Sequence, residues 1–577
     1  MAGLHPLDLI VIGIYLIGIT ALGVWMARRV KNAGDFFMPR RFGKAMMITN
    51  AFGTGTASDQ AVTVASSTFS NGLSGIWLQW LWLPATPFYW MIAPIMRRLR
   101  AVTTADVYAL RYDRSVAMLF AIVGAFGLAV KIGLVLVGAG ALVFATTDGA
   151  ISSNLAIGMI TVMFVLYGTA GGLGAAIVTD FFQGILTVVF SVMLLPFILQ
   201  DVGGLEGIRS TISPEMLNLA VPEKIGVFFI VMYAIQALVG IVAQPFIMGV
   251  CASGRTEMDG RVGFMVGNLV KRICTMAWCV TALAALAWYT QRDVDLSTVQ
   301  GDHVYGDVAR AFLPAGMLGL FIASLLASVM SSCDAFMISS AGLFTENIYK
   351  QINPGQSERH YLTVGRVASL LVVVGALVFV WYVKAAASAE GKSPILTSLK
   401  IWFKIAPMMG ITFWMGLLWR RATVAGAWAA TITGFTIWWL TTLSWFVDLA
   451  KQFPYADHVN LIWQDGDKAA VIYDPWVILL YTVAAVFVGV IVSLITPQVS
   501  SEKLDLFYNL TRTPVVENEV IIEPCTLPAG VAPQKRAMIC TALGLEIPLP
   551  SGTSIAGFAA GWIAVIFMVG GFIWLIR

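Results

Sequence analysis

The chain has 577 residues, 58% of them hydrophobic and only 12% charged. That composition excludes a water-soluble globular enzyme and points to an all-α polytopic protein whose solvent is the lipid bilayer. A net charge of +4 leaves no nucleic-acid footprint, and the sequence carries no nucleotide-binding glycine loop and no Walker-type lysine, so neither nucleic acid nor nucleotide is an expected partner.

Apolar runs long enough to span a membrane recur at 8–28, 43–70, 73–96, 114–146, 153–170, 174–201, 224–250, 262–290, 314–348, 362–386, 395–419, 422–447, 473–496 and 553–576, which predicts about fourteen transmembrane helices. The first run is too long for a signal-peptide core and no small-residue cleavage site follows it, so it reads as a retained helix. The loop after it holds Arg28, Arg29, Lys31, Arg40 and Arg41, and the loop after the third run holds Arg97, Arg98, Arg100, Arg111 and Arg114. The alternate loops 71–72 and 147–152 hold no Lys or Arg. Basic loops stay in the cytoplasm, which puts both termini outside, and Arg420–Arg421 and Lys535–Arg536 fall on the same basic side. The cysteines at 251, 274, 279, 333, 525 and 540 lack metal-ligand spacing and are expected as free thiols. His5, His303, His360 and His458 lie at segment ends or in loops, so no buried histidine relay is expected.

The second run, AFGTGTASDQAVTVASSTFSNGLSG, is the first informative interruption. Gly53 and Gly55 alternate with Thr54 and Thr56, and each glycine costs a helix interior roughly 1 kcal/mol relative to Ala. A helix broken inside the bilayer exposes backbone groups that an ion or solute can satisfy. Asp59 and Gln60 follow one turn later. A second interruption lies at Gly240–Pro245, in VGIVAQPFIMG, five spans further on. Interruptions at matching positions predict an inverted repeat, with halves at 43–201 and 224–419. Around them stand an extra N-terminal helix and loop (1–42), accessory helices (420–496), a polar segment at 497–552 that reads as a linker or lid, and a last helix (553–577). Asn509 heads a glycosylation sequon on the cytoplasmic side, where it would not be used. Residues 448–472 carry Asp448, Lys451, Asp457, Asp465, Asp467 and Lys468 and read as a solvated external cap.

The ninth run holds the densest chemistry, in LLASVMSSCDAFMISSAGLFTENIYK. Ser328, Ser331 and Ser332 stand at i, i+3 and i+4 and so share one helix face, with Asp334 following. Hydroxyl and carboxylate oxygens are hard ligands suited to a small alkali cation. Serines also serve as small packing residues in membrane helices, and at any single position that reading stays open. Lys131 is alone in the middle of the fourth run, where an unpaired ammonium costs a few kcal/mol, so it needs a partner. A substrate carboxylate and Asp59 are both candidates.

Four stretches together resemble the sodium:solute symporter family. YGTAGGLGAAIVTDFFQ (Tyr167–Gln183) is similar to its Gly-Gly-Leu…Thr-Asp…Gln signature, and TTADVYALRY (Thr103–Tyr112) to its loop segment. Ser331–Ser332 through FTENIYK (Phe344–Lys350) resembles its sodium-site helix, and GLLWRRATVAG (Gly416–Gly426) the start of its post-repeat region. The resemblance implies a leucine-transporter-type 5+5 inverted-repeat core, flanked by one preceding and three following helices. It implies Na⁺ as coupling ion, held by the carbonyls of Gly53, Thr56 and Ser328 and the hydroxyls of Ser331 and Ser332. Asp180 matches the family's Thr-Asp acid. With Asp334 on the facing helix it forms a possible second cation or proton site, since two adjacent carboxylates cannot both ionise cheaply. Substrate-binding positions implied are Asp59, Gln60, Gln79, Lys131 and Gln236. The expected activity is sodium-coupled import of a small polar organic solute across a bacterial inner membrane by alternating access, with a carboxylate-bearing solute such as a sugar acid slightly favoured. A neutral sugar, polyol or amino acid, or a non-transporting sensor keeping the fold, is the alternative. No residue is expected to perform covalent catalysis.

Overall fold

The computed structural model describes residues 4–28, 36–222, 225–390, 392–464, 470–516, 519, 521 and 523–577. Arg29 and Lys31 of the first basic loop, and Asp465, Asp467 and Lys468 of the expected cap, lie outside the described residues. Among the described residues nine helices are long and apolar enough to cross a membrane. Three shorter apolar helices, Ser153–Leu166, Val227–Ile241 and Val424–Leu440, account for further expected spans. The rest are the interrupted segments, Lys44–Gly55 with Ser58–Asn71, and Trp77–Trp80 with Thr86–Arg98.

Both expected interruptions are present. Lys44–Gly55 and Ser58–Asn71 are separated by Thr56 and Ala57 in extended conformation. Val227–Ile241 and Ile247–Ala252 are separated around Pro245, whose ring cannot continue a helix. One boundary differs in kind from the expectation. The fifth and sixth spans meet without a loop inside Ser153–Val192, at the single residue Gly172 (φ 61°). A Cβ there would stand 2.6 Å from the Phe36 ring, so glycine serves both the left-handed backbone and the close approach.

The helix Met317–Phe344 is the axis of the bundle. Its most apolar stretch is wholly buried, as expected of a helix that is apolar all round. It packs against Arg114–Thr146, Ser153–Val192, the N-terminal helix Pro6–Ala27 and Glu358–Glu390. The N-terminal helix is docked by Asp8, whose Oδ1 accepts from the backbone N–H groups of Gly316 and Gly319, both at 2.7 Å.

At the arginine-rich end the backbone is held by guanidinium groups. Arg111 donates to the carbonyls of Gly416 (2.7 Å) and Trp419 (2.8 Å), and Arg98 forms a two-pronged pair with Glu257 at 2.7 and 2.8 Å. The 497–552 segment is more ordered than a linker. It contains the helix Ser501–Arg512 and a hairpin pairing Met538–Cys540 with Ile547–Pro548. Arg100 binds Glu519 at 2.7 Å, while Arg420 reaches both Asp505 and Glu546. At the opposite end a short helix, Ser444–Lys451, and a two-stranded ribbon (Ile462–Trp463 with Val471–Ile472) form the cap, where Asp448 pairs with Lys451. All six cysteines are free thiols.

Candidate functional site

The break in the first interrupted helix leaves its last carbonyls without the next turn of donors. Thr56 N–H returns to Gly53 O at 3.2 Å, and the same Gly53 oxygen accepts the Ser332 hydroxyl at 3.0 Å. Ser331 Oγ donates to Asp180 Oδ1 at 2.5 Å. A Cβ on Gly53 would stand 2.6 Å from Ser331 Oγ and 3.5 Å from Asp180 Cγ, so only glycine lets the three chain segments meet. Ser328 is on the same helix face, but its hydroxyl turns back to Leu325 O at 2.8 Å. All these residues are buried. Around them the Thr56 and Ser58 hydroxyls and Asp180 Oδ2 have no hydrogen-bond partner among the described residues, an unusual state for buried oxygens that a cation would relieve.

Tyr15 closes this cluster from the N-terminal helix. Its hydroxyl accepts from Gln183 Nε2 at 3.1 Å, and the carboxylates of Asp334 and Asp180 both act on it electrostatically. Asp334 lies against the backbone of Gly168, one helix before the one carrying Asp180. The side chains of Tyr167, Thr169 and Ala170 in the motif between them lie outside the described ones.

A cavity opens on the other side of the same break. Gly55, Gln60, Gln79, Lys131, Lys271 and Arg272 line it, with Trp82, Tyr89, Phe336, Trp402 and Phe403 among its apolar walls. Gly55 O accepts from Gln60 Nε2 at 2.7 Å and from the Lys271 ammonium. Lys131 pairs with Asp59 Oδ2 at 3.0 Å and stands 5.8 Å above the Trp402 ring. Arg272 donates to Gln79 O at 2.6 Å. Among the described residues Lys131 therefore has a carboxylate partner, whereas Lys271 and Arg272 have none within salt-bridge distance.

The sequence-predicted positions divide accordingly. Gln60, Gln79 and Lys131 reach the cavity. Asp59 does not stand on its wall; it is spent on Lys131, with Oδ1 left without a partner among the described residues. Gln236 lines a narrow adjoining cleft, and its amide is committed to Phe403 O and the Tyr481 hydroxyl, both at 2.9 Å. Sequence reasoning missed Lys271, Arg272, Tyr15 and Gln183. The signal for the first two was present: VKRICT puts adjacent basic residues inside the eighth span, where ionisable groups mark function.

The profile of the sodium:solute symporter family matches residues 36–434. Among curated relatives, the sodium/myo-inositol cotransporter 2 of Rattus norvegicus is 22% identical over 82% of this chain and 74% of its own length. The sodium/pantothenate symporter of Escherichia coli (strain K12) is 23% identical over 73% of this chain and 87% of its own. The osmoregulated proline transporter of Bacillus subtilis (strain 168) is 24% identical over 75% and 89%. Among solved structures, a substrate-bound, outward-open Na⁺-coupled sialic acid symporter superposes with a TM-score of 0.69 at 17% identity, covering 86% of this chain and 99% of its own.

Proposed function

The chain belongs to the sodium:solute symporter family and uses Na⁺ as its coupling ion, and from that premise we propose that it moves a small carboxylate-bearing solute through the cavity beside the broken helix. In this reading Na⁺ sits at the carbonyls of Gly53, Thr56 and Ser328 and the hydroxyls of Ser331 and Ser332. Asp180, with Asp334 behind it, supplies a second cation or proton site. Gln60, Gln79, Lys131 and Lys271 face the solute. Asp59 sets the position of Lys131, and Gln236 orders the wall around Phe403. No residue forms a covalent intermediate, and the protein acts as a transporter and not as an enzyme.

One observation carries the reading. Gly53 O and Gly55 O belong to the same helix end, the first meeting Ser332 and the second meeting Gln60 and Lys271 in the cavity. Ion and solute thus act on one structural element, and each is expected to bias the state in which that end is held. The solute class follows from charge. Two cavity cations without carboxylate partners are costly in a membrane interior unless the ligand brings negative charge. The relatives' names span both neutral polyols and carboxylates, so the cavity and not the comparison favours the acid. A core bundle made of the first two helices of each repeat (43–201 and 224–419) would rock against the scaffold of the remaining helices in a bacterial inner membrane. The arginine-rich end would face the cytoplasm and both termini the outside.

Thermal stability of purified protein against a solute panel, with and without Na⁺, tests this, because a ligand of the folded state raises its apparent stability. A carboxylate solute should stabilise the wild type only with Na⁺, and Ser332→Ala should lose that dependence. Equal stabilisation by neutral analogues would refute the acid, and a Ser332→Ala variant that keeps the wild type's full dependence on Na⁺ would refute the ion site.

A further inference from the structure

A second, much more apolar chamber lies at the arginine-rich end, away from the solute cavity. Its walls come from Thr86–Arg98, the last turn of Val227–Ile241, the end of Pro394–Leu418, the 497–552 segment and the start of Gly552–Ile576. The chamber has a volume of about 640 Å³ and opens outward at its edge, far more room than a single small anion needs. Phe88, Ile92, Leu417, Ile547 and Phe558 give it an apolar interior. Ile539 and Ile555 stand exposed at its edge.

The rim is charged and unbalanced. Arg98, Arg261, Arg512 and Arg536 border the chamber. The carboxylates near them are already committed, Glu257 to Arg98 and Glu546 to Arg420 and Arg512. Arg261 donates to Trp90 O at 3.3 Å and to Ser554 Oγ at 3.1 Å, and lies over the Trp90 ring, but among the described residues it meets no carboxylate. Arg536 has neither a hydrogen bond nor an ion pair among the described residues. Partial burial first, with Arg98 and Arg512 nearby, pulls its guanidinium below the usual value against the weaker opposing pull of Glu257, which is already paired with Arg98. An apolar chamber between membrane helices, edged by two arginines that form no ion pair among the described residues, is chemistry that matches one class of molecule.

We propose that this chamber holds an anionic phospholipid, its phosphate between Arg261 and Arg536 and its acyl chains along Phe88, Leu417 and Phe558. The length of the apolar wall separates this from binding of a free anion, which would leave those side chains facing water. The site joins the 497–552 segment to the membrane helices through the lipid, so headgroup binding also pins that segment.

Native mass spectrometry tests the assignment, with purified protein offered equal amounts of phosphatidylglycerol and phosphatidylcholine of the same chain length. Each basic residue beside an anionic headgroup contributes roughly fivefold in affinity, so the wild type should retain the anionic lipid by roughly 25-fold over the zwitterionic one. Arg536→Gln removes a side chain with no protein partner and is expected to fold. It should lower that preference roughly fivefold, and adding Arg261→Gln should abolish it. Leu417→Trp should reduce retention of both lipids by filling the chamber. Glycerol phosphate, the headgroup without chains, should neither bind nor displace lipid at the same concentration. Equal retention of both lipids by the wild type, an unchanged preference in Arg536→Gln, or binding of glycerol phosphate as tight as that of the lipid would each overturn the proposal.

Discussion

Lys131 and Asp59 can be separated experimentally into a structural pair and a pair of solute ligands. Lys131 is 7% exposed and Asp59 fully buried, their charges 3.0 Å apart, and Asp59 is pressed against Gly138, whose Cβ would stand 2.6 Å from Asp59 Cα. Removing one partner of a buried pair leaves an uncompensated charge and costs about 3–5 kcal/mol. Lys131→Met strands a carboxylate that already has one oxygen without a partner, and Asp59→Asn strands an ammonium beneath Trp402. If the two act as one unit, the Lys131→Met/Asp59→Asn double variant should be no worse than either single one. The coupling measured in the cycle should then exceed about 2 kcal/mol. Denaturant unfolding in detergent gives the four stabilities, and solute binding on the same samples gives the functional arm. Binding by the double variant should persist, because Lys271 remains in the cavity. Single effects that add within about 0.5 kcal/mol would refute the pairing. Lost binding in a stably folded double variant would make Lys131, and not Lys271, the indispensable solute contact.

Three further outcomes follow from the same geometry. Gly53→Ala places a methyl 2.6 Å from Ser331 Oγ, so the Na⁺ dependence of uptake should weaken by about tenfold or more, the scale of one lost ligand interaction, while circular dichroism stays unchanged. Lys271→Gln removes a charged hydrogen-bond donor worth about 1.5–3 kcal/mol, so KM for a carboxylate solute should rise roughly 10- to 100-fold while a neutral analogue is little affected. Asp307, on the Val304–Phe312 helix between spans, has its carboxyl pushed up to about 6, by burial first and by Asp148, against the opposing pull of Arg310 and the Tyr289 hydroxyl. The folded state therefore holds this proton more tightly than the unfolded chain. The associated stability is complete below the ordinary carboxylate range and is lost as pH rises through about 6. Thermal midpoints should fall across that window, and Asp307→Asn should flatten the slope.

The fold was legible because its signals are long or chemically loud. Runs of membrane length survive any error of a few residues at their ends, and Gly53–Thr56 and Gly240–Pro245 announce their breaks by composition. The join at Gly172 is finer than run boundaries can show, because a single left-handed glycine turns the chain between the runs 153–170 and 174–201 without a loop. At the site, spacing within one helix placed Ser331 and Ser332 on a common face, and each does meet a different segment, Asp180 and Gly53. Partners across helices were beyond spacing. Lys131 had two chemically reasonable partners until Asp59 was found 3.0 Å away. Gln236 looked like a solute ligand because nothing in the chain's order announces Tyr481, almost 250 residues on (|i−j| = 245), as its acceptor. Lys271 and Arg272 were overlooked because they sit in a helix whose first turns are already polar, so the pair blended into its entry.

The two faces of the broken helix lead to a sharper expectation for Lys271. A helix C-terminus carries partial negative charge that falls off within its last turn. Gly53 O and Gly55 O both belong to that turn, and the Lys271 ammonium occupies the second while Ser332 marks the proposed cation position at the first. The ammonium and Na⁺ therefore draw on one terminus and repel each other. At an effective dielectric constant of about 20, two like charges drawing on neighbouring carbonyls of one helix end repel by on the order of 2 kcal/mol before screening. Lys271→Gln should accordingly tighten Na⁺ binding in the absence of solute by up to about tenfold, even as it weakens the solute. An anionic solute that pairs with Lys271 should have the same sign of effect in the wild type, by neutralising the ammonium, and should lose most of it in the variant. Na⁺ titrations followed by tryptophan fluorescence, with and without solute, measure all four affinities. A variant that binds Na⁺ no more tightly than the wild type would show that Lys271 does not share the terminus electrostatically. The coupling would then have to run through the packing of Met317–Phe344 alone.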